Sequence, residues 1–178
     1  MARQIIKINR APVLTLWATV IAERLGFRRA EALTLGRAVA GLNAYSKGVA
    51  LGLFHPSPRK LKEQRKNRKG GRRIRIALLG RAVPVTRTPA GLHALSGGRQ
   101  ITPQSVKAYL HNKFGDHLPA VRIAMNRLAK AISPAEANAR GYRLYVKFRP
   151  SIPGGTKGWG AKGRLDLSLI NRLSKTIE

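Results

Sequence analysis

The densest group of residues able to do chemistry is a basic run from Arg59 to Arg75, RKLKEQRKNRKGGRRIR, with ten Lys and Arg against one Glu. Lysine carries a mobile point charge, and arginine can donate two parallel hydrogen bonds to phosphate oxygens. We predict that this run binds the phosphates of nucleic acid; the alternatives are a solvated loop or a charged linker. The predicted contact residues are Arg59, Lys60, Lys62, Arg65, Lys66, Arg68, Lys69, Arg72, Arg73 and Arg75.

A glycine-rich segment at 154–164, GGTKGWGAKGR, is the second candidate for phosphate binding. Its glycines can expose backbone N–H groups, and Lys157, Lys162 and Arg164 add positive charge. The segment lacks the GxxxxGK[ST] pattern of a P-loop, so we do not predict nucleotide hydrolysis. Trp159 is either an anchor packed on the core or a platform for an unstacked base, and anchoring is the commoner role of a loop tryptophan.

A third basic group, Arg140, Arg143 and Lys147, recurs at spacings of three and four residues, which places the three side chains on one helix face. Leu144 and Phe148 occupy a neighbouring face, as in an amphipathic helix whose polar side is cationic. We predict that this face supports phosphate binding. The alternative is a basic surface that only favours solubility.

Patterns for catalysis and metal binding are sparse. The chain has no Cys, which removes thiol nucleophiles, disulfides and thiolate zinc sites, and its carboxylates are scattered. His111, Asp116 and His117 could bind a metal or relay protons, but Gly115 as a helix C-cap and Asp116 as the next N-cap is the simpler interpretation. We therefore predict no enzyme activity, no metal and no cofactor.

The N-terminal third predicts a strand followed by two packed helices. Proline in the first helical turn and glycine after the last turn indicate where the helices begin and end. Small residues four positions apart, Gly36, Ala40 and Ala44, would let the two helices approach closely. The predicted elements are a strand at 4–8, a helix from Pro12 to about Leu25 ended by Gly26, and a helix from Ala30 to about Ser46 ended by Gly48.

The spacing of Ala22 and Gly26 resembles the helix-turn-helix pattern, in which the second helix lies in the major groove. Reading base edges requires exposed polar side chains on that helix. The second helix here is mostly Ala, Leu and Gly, so we favour buried packing over base reading. Its only residues able to face a groove are Glu31, Thr34, Arg37 and Asn43.

The rest of the chain predicts a small β element and several helices. Alternating polar and apolar residues indicate a strand from Arg73 to Leu78, and a second strand at 83–86 that Pro84 would confine to a sheet edge. The predicted helices are a basic one from Ser57 ended by Gly70 and Gly71, one from Pro103 to Phe114, one with a buried stripe of Leu118, Val121, Met125, Leu128 and Ile132, one from Pro134 to about Phe148, and one from Leu167 to Lys175.

These elements predict a mainly α fold: a helical domain with a small β-hairpin-like element near 73–86 and a basic segment at 57–72 that we expect to be flexible. We expect an apolar helical hairpin at 1–54, a basic linker or arm at 55–72, and a mainly helical remainder at 73–178 that packs with the hairpin as one domain. The apolar run from Pro12 to Ala22 is too short to span a bilayer and lacks a signal cleavage site, so we interpret it as a core helix.

The whole chain carries 35 Lys and Arg against 7 Asp and Glu, a formal charge of +28 on 178 residues. Its hydrophobic content of 43% is that of a globular protein, so the charge coats a folded core. An extended polyanion would neutralise such a surface. We therefore predict a cytoplasmic, non-catalytic nucleic-acid-binding protein, associated with the nucleoid or the ribosome.

We favour duplex DNA, in packaging or DNA-bound regulation with little base specificity, over structured or ribosomal RNA. The alternative of another class is an adaptor for an acidic protein or an anionic membrane surface. A membrane-binding helix would place apolar residues opposite its cations, and the run at 59–69 has only Leu61. We therefore predict no membrane partner, and the sequence identifies no protein partner.

Overall fold

The computed structural model describes residues 4–50, 74–152 and 162–177, and the side chains of all of these except 45–50. Within these ranges, helices surround one hydrophobic core, and two small antiparallel sheets flank them. The helices are α1 (Arg10–Arg24), α2 (Arg29–Ala50), α3 (Pro103–Phe114), α4 (Leu118–Lys130), α5 (Pro134–Phe148) and α6 (Leu167–Thr176). The strands are β1 (Ile5–Ile8), β2 (Ile74–Leu78), β3 (Arg81–Thr88), β4 (Gly91–Ser96), β5 (Arg99–Gln100) and β6 (Gly163–Asp166).

Helix α1 lies at the centre of the core because its sequence is apolar on every side. Every residue from Pro12 to Ala22 is buried, and α1 contacts α2, α3, α4 and α5. The indole N–H of Trp17 donates to the carbonyl oxygen of Gly141 at 2.8 Å, and the Trp17 ring packs edge-on against Phe148. The predicted core helix is confirmed.

Helix α5 runs antiparallel to α1. Arg10 Nε donates to the carbonyl oxygen of Pro150 at 3.0 Å, just after α5 ends. Arg24 Nη2 donates to the carbonyl oxygen of Ile132 at 3.2 Å, just before α5 begins. At about 1.5 Å per residue, the two ends of α1 lie roughly 22 Å apart, so these contacts define two distant ends of the molecule.

Helices α1 and α2 form the predicted hairpin, and Gly26 makes the turn with φ +107°. A Cβ atom at Gly36 would lie 2.5 Å from the carbonyl oxygen of Thr15, so only glycine permits this approach of the helices. The predicted end of α2 at Gly48 is wrong, because the helix continues to Ala50. An interior glycine costs only about 1 kcal/mol, which neighbouring helical turns can outweigh.

The second sheet is an antiparallel meander in the order β2-β3-β4-β5, packed against α2. The predicted edge position of β3 is wrong, because β3 lies between β2 and β4. Pro84 fits there because the β3–β4 register begins at Val85, so Pro84 is paired only with Arg75 of β2. Strands β4 and β5 extend the β element beyond its predicted limit at 86. They were not predicted because their sequences show little alternation of polar and apolar residues.

Helices α3, α5 and α6 begin at the predicted residues Pro103, Pro134 and Leu167. Thr102, Ser133 and Asp166 cap α3, α5 and α6 by accepting backbone N–H groups through their side chains. Gly115 ends α3 with φ +56°, as predicted. The predicted N-cap role of Asp116 is wrong, because Asp116 lies inside a short 3₁₀ turn before α4 and makes no cap hydrogen bond.

The mainly helical fold class with a small antiparallel β element is confirmed. The residues of the predicted stripe are buried, except Leu118, which is half-buried, and Ile132 follows the end of α4 at Lys130. In the described part of the chain, no helix combines the length and apolar character needed to cross a bilayer.

Candidate nucleic-acid interface

The cationic face of α5 is exposed as predicted. The opposite face, with Ala137, Leu144 and Phe148 among its residues, is buried against the core. Amphipathic packing therefore directs Arg140, Arg143 and Lys147 to solvent, over about 10 Å of helix axis. We call these three residues the α5 stripe.

One carboxylate lies near the α5 stripe, in the first turn of the same helix. Glu136 Oε2 lies 4.0 Å from Arg140 Nη1, and both side chains are about half exposed. Exposed pairs of this kind contribute little, because water screens them and long side chains lose entropy in holding one geometry. Arg143 and Lys147 lie further along the helix than this pair, so the stripe stays net positive.

A second cationic group lies on the sheet that joins the two ends of the chain. Strand β1 pairs antiparallel with β6, and the register places Lys7 directly opposite Arg164. Ile6, Ile8 and Leu165 face the core, so the alternation of a strand leaves Lys7 and Arg164 on the outer face, where both are exposed.

The junction between this sheet and α5 holds two further cations, Arg10 and Arg149. The Tyr145 hydroxyl donates to the carbonyl oxygen of Arg10 at 3.3 Å, and the Arg149 N–H donates to the carbonyl oxygen of Tyr145 at 2.7 Å. Partial burial lowers the pKa of Arg10, and the nearby charge of Arg149 lowers that pKa further. Arginine remains protonated despite such a shift, so the junction holds two positive charges within electrostatic range.

The ends of the glycine-rich segment meet at the same place. Ser151 N donates to the carbonyl oxygen of Arg164 at 3.1 Å, and Arg164 N donates to that of Ser151 at 3.0 Å. Lys162 is exposed just before β6. The described cations of the predicted loop, Lys162 and Arg164, therefore lie beside the end of α5 that carries Lys147 and Arg149.

Most carboxylates of the described residues serve the fold. Glu23 lies within ion-pair distance of both Arg29 (3.7 Å) and Arg122. Glu31 pairs with a backbone N–H of β4, and Asp166 caps α6. Arg122 lies on α4 in a part-buried position, where its guanidinium meets the Glu23 carboxylate.

The helix-turn-helix alternative does not fit the packing of α2. Glu31, Thr34 and Asn43 are buried, and the first two bond to β4. Arg37 is half-buried, with its guanidinium carbon 4.5 Å from the centre of the Tyr109 ring. A groove-facing role would need these side chains to be free to contact base edges. The sheet and α3 instead occupy this face of α2.

The remaining candidate residues belong to other elements or lie outside the described residues. Arg75 is exposed on the outer face of β2, apart from the α5 stripe in sequence. His111, Asp116 and His117 are exposed, and no three His, Cys, Asp or Glu of the described residues are grouped to hold a metal. The predicted contacts outside the described residues are Arg59, Lys60, Lys62, Arg65, Lys66, Arg68, Lys69, Arg72, Arg73, Lys157 and Trp159.

Sequence reasoning missed Lys7, Arg10 and Arg149. In a strand, Lys7 lies on the face opposite Ile6 and Ile8, which is a usable signal once the strand is predicted. Its partner strand, however, lies at the other end of the chain, and no local pattern predicts that pairing.

No protein-family model, curated protein or solved structure matches this chain.

Proposed function

We propose that this chain is a non-catalytic nucleic-acid-binding protein that holds duplex DNA through phosphate contacts, with little base specificity. The observation that carries the proposal is the exposed α5 stripe in a chain of net charge +28 whose described carboxylates are mostly engaged within the fold. Such a surface repels itself in the absence of a polyanion, and phosphate binding releases condensed counterions from the nucleic acid.

The connection of β2 to α5 supports joint action of the basic run and the α5 stripe. Asn138 of α5 accepts the Leu79 N–H at 2.8 Å and donates to the carbonyl oxygen of Ala77 at 3.1 Å. Strand β2 begins at Ile74 and includes Arg75, so the last two residues of the basic run lie in this strand. Four residues of strand span about 13 Å, so the run joins the described fold within that distance of α5.

The aromatic residues that the structure describes favour a duplex over an open strand. Single-strand binders stack bases on exposed aromatic rings. Trp17, Tyr145 and Phe148 are instead fully buried in the core. We therefore propose a role in DNA packaging or DNA-bound regulation, in the cytoplasm at the nucleoid, with structured or ribosomal RNA as the competing ligand in the test.

The direct test measures the affinity of the full chain for a duplex of random sequence as a function of salt. Each phosphate contact contributes a slope of about −0.9 to log K against log[salt], so several contacts give a steep decline between about 50 and 200 mM salt. Duplex DNA and double-stranded RNA compete as ligands, and heparin and anionic vesicles serve as competitors. Affinity that is flat with salt, or vesicles that displace the duplex as well as heparin does, would contradict the proposal.

The α5 stripe is tested by the variant R140Q/R143Q/K147Q. Loss of up to three phosphate contacts should reduce the salt slope by as much as about 2.7. The control R99Q/R127Q/K130Q removes the same numbers of arginines and lysines from exposed positions on β5 and α4. Equal reductions in the two variants would show that total charge, and not the stripe, governs binding.

A further inference from the structure

The outer face of the β1–β6 sheet contains an unfavourable pair of like charges. Arg164 uses its backbone N–H and carbonyl to pair with Ser151, on the side away from β1. Lys7 and Arg164 therefore form a non-hydrogen-bonded pair, the closer of the two antiparallel types, with Cα atoms about 4.5 Å apart. Like charges directly opposite each other destabilise a sheet, so this arrangement needs an explanation.

The residues that the structure describes offer little compensation for these two charges. Among the residues that the structure describes, neither the Lys7 nor the Arg164 side chain makes a hydrogen bond or ion pair. The nearest carboxylate in the two strands is Asp166, whose Oδ1 already accepts from the Ser168 N–H at 3.0 Å and from its hydroxyl at 2.5 Å. Arg10, Arg149 and Lys162 add further positive charge at the adjoining junction.

We propose that Lys7 and Arg164 form a phosphate clamp, in which one phosphodiester group of a bound DNA backbone lies between the two cations. The inference rests on the proposed function and adds its anchoring point. A phosphodiester accepts from the arginine fork with its two non-bridging oxygens, and one of these also accepts from the lysine ammonium, so one group satisfies both side chains. Binding then converts a repulsive pair into a bridged one.

The clamp predicts a gain in stability when its charges are removed without ligand. In low salt, K7Q/R164Q should have a melting temperature equal to or above that of the unmodified protein, because glutamine relieves the repulsion. Inorganic phosphate should raise the melting temperature of the unmodified protein more than that of K7Q/R164Q. If K7Q/R164Q melts at a lower temperature than the unmodified protein when both lack phosphate, the protein itself satisfies the pair, and the clamp is overturned.

Duplex binding provides the second readout. K7Q/R164Q should lose about 0.9 of the salt slope, because the two side chains together hold one phosphate, and should bind roughly tenfold more weakly. The exchange K7R/R164K keeps both charges and should retain most of the affinity. The control R127Q/K130Q removes one Arg and one Lys from exposed positions of α4, at the Ile132 end of α1, opposite the clamp.

The outcomes separate the clamp from the proposed function. If the unmodified protein binds the duplex and K7Q/R164Q loses no more slope than R127Q/K130Q does, the clamp is wrong while phosphate-mediated DNA binding stands. If the unmodified protein does not bind the duplex, the proposed function fails, and the clamp as a DNA anchor fails with it. Selective stabilisation by inorganic phosphate would then identify the pair as a site for the free anion.

Discussion

At the scale of single residues, the carboxylate of Glu31 joins two parts of the fold that are distant in sequence. Its Oε2 accepts the Leu92 N–H at 2.9 Å, and its Oε1 accepts the Arg28 N–H at 3.1 Å. The Leu92 hydrogen bond is the main cause that lowers the pKa of Glu31, and the Arg28 N–H and charge lower it further, against the opposing effect of burial. This residue therefore stabilises the contact between α2 and β4 in its ionised form.

The substitution E31Q should destabilise the protein by about 1 kcal/mol or more at neutral pH, because glutamine has one neutral acceptor oxygen for two part-buried N–H donors. The contribution of Glu31 is complete above the pKa of an unfolded glutamate and is lost as pH falls through its lowered pKa in the folded state. Between about pH 7 and pH 3, the free energy of unfolding in urea should therefore fall less for E31Q than for the unmodified protein. The exposed control E136Q should change stability by less than about 0.5 kcal/mol, and an equal effect of both would contradict this role.

At the scale of elements, the helices and the local β2–β3 pairing were predictable, whereas the pairing of β1 with β6 was not. The ends of α3 and α5 follow from Thr102, Gly115 and Ser133, since capping and glycine stops act within a few residues. The pairing of β1 with β6 joins residues near opposite chain ends, so nothing local reveals it. The same reason explains the candidate site: a helical period predicted the α5 stripe, whereas the Lys7–Arg164 pair required the fold.

The contact between α1 and α2 makes a prediction with an internal control on the same helix. G36A should destabilise by about 1–3 kcal/mol, because its Cβ would lie 2.5 Å from Thr15 O and 2.9 Å from Thr19 N, which are backbone atoms of α1. G41A meets nothing within 4 Å and should stabilise by up to about 1 kcal/mol through helix propensity. Chemical denaturation of both variants tests this. Similar effects of the two alanines would mean that the close approach at Gly36 does not restrict the packing.

At the scale of the whole molecule, the charge and the fold oppose each other. The buried core, centred on α1, draws the chain together, while the net charge of +28 favours expansion. The described ion pairs, such as Arg122 with Glu23, offset only part of this repulsion. The net effect of salt on stability therefore depends on whether long-range repulsion or these few short pairs dominate, and the excess of cations favours repulsion.

Stability should consequently rise with salt, in contrast to a protein with balanced charges. Raising NaCl from about 50 to about 500 mM shortens the Debye length from roughly 14 to 4 Å, which screens repulsion between exposed cations more than it weakens the part-buried Arg122–Glu23 pair. A gain of about 1 kcal/mol corresponds to a melting temperature higher by about 2–4 °C in a chain of this size. Duplex DNA added at low salt should produce a larger increase, because it binds the folded state, and high salt should abolish that increase. A melting temperature that falls with NaCl would show that the described ion pairs outweigh the repulsion, and it would remove the premise that the folded chain needs a polyanion to neutralise it.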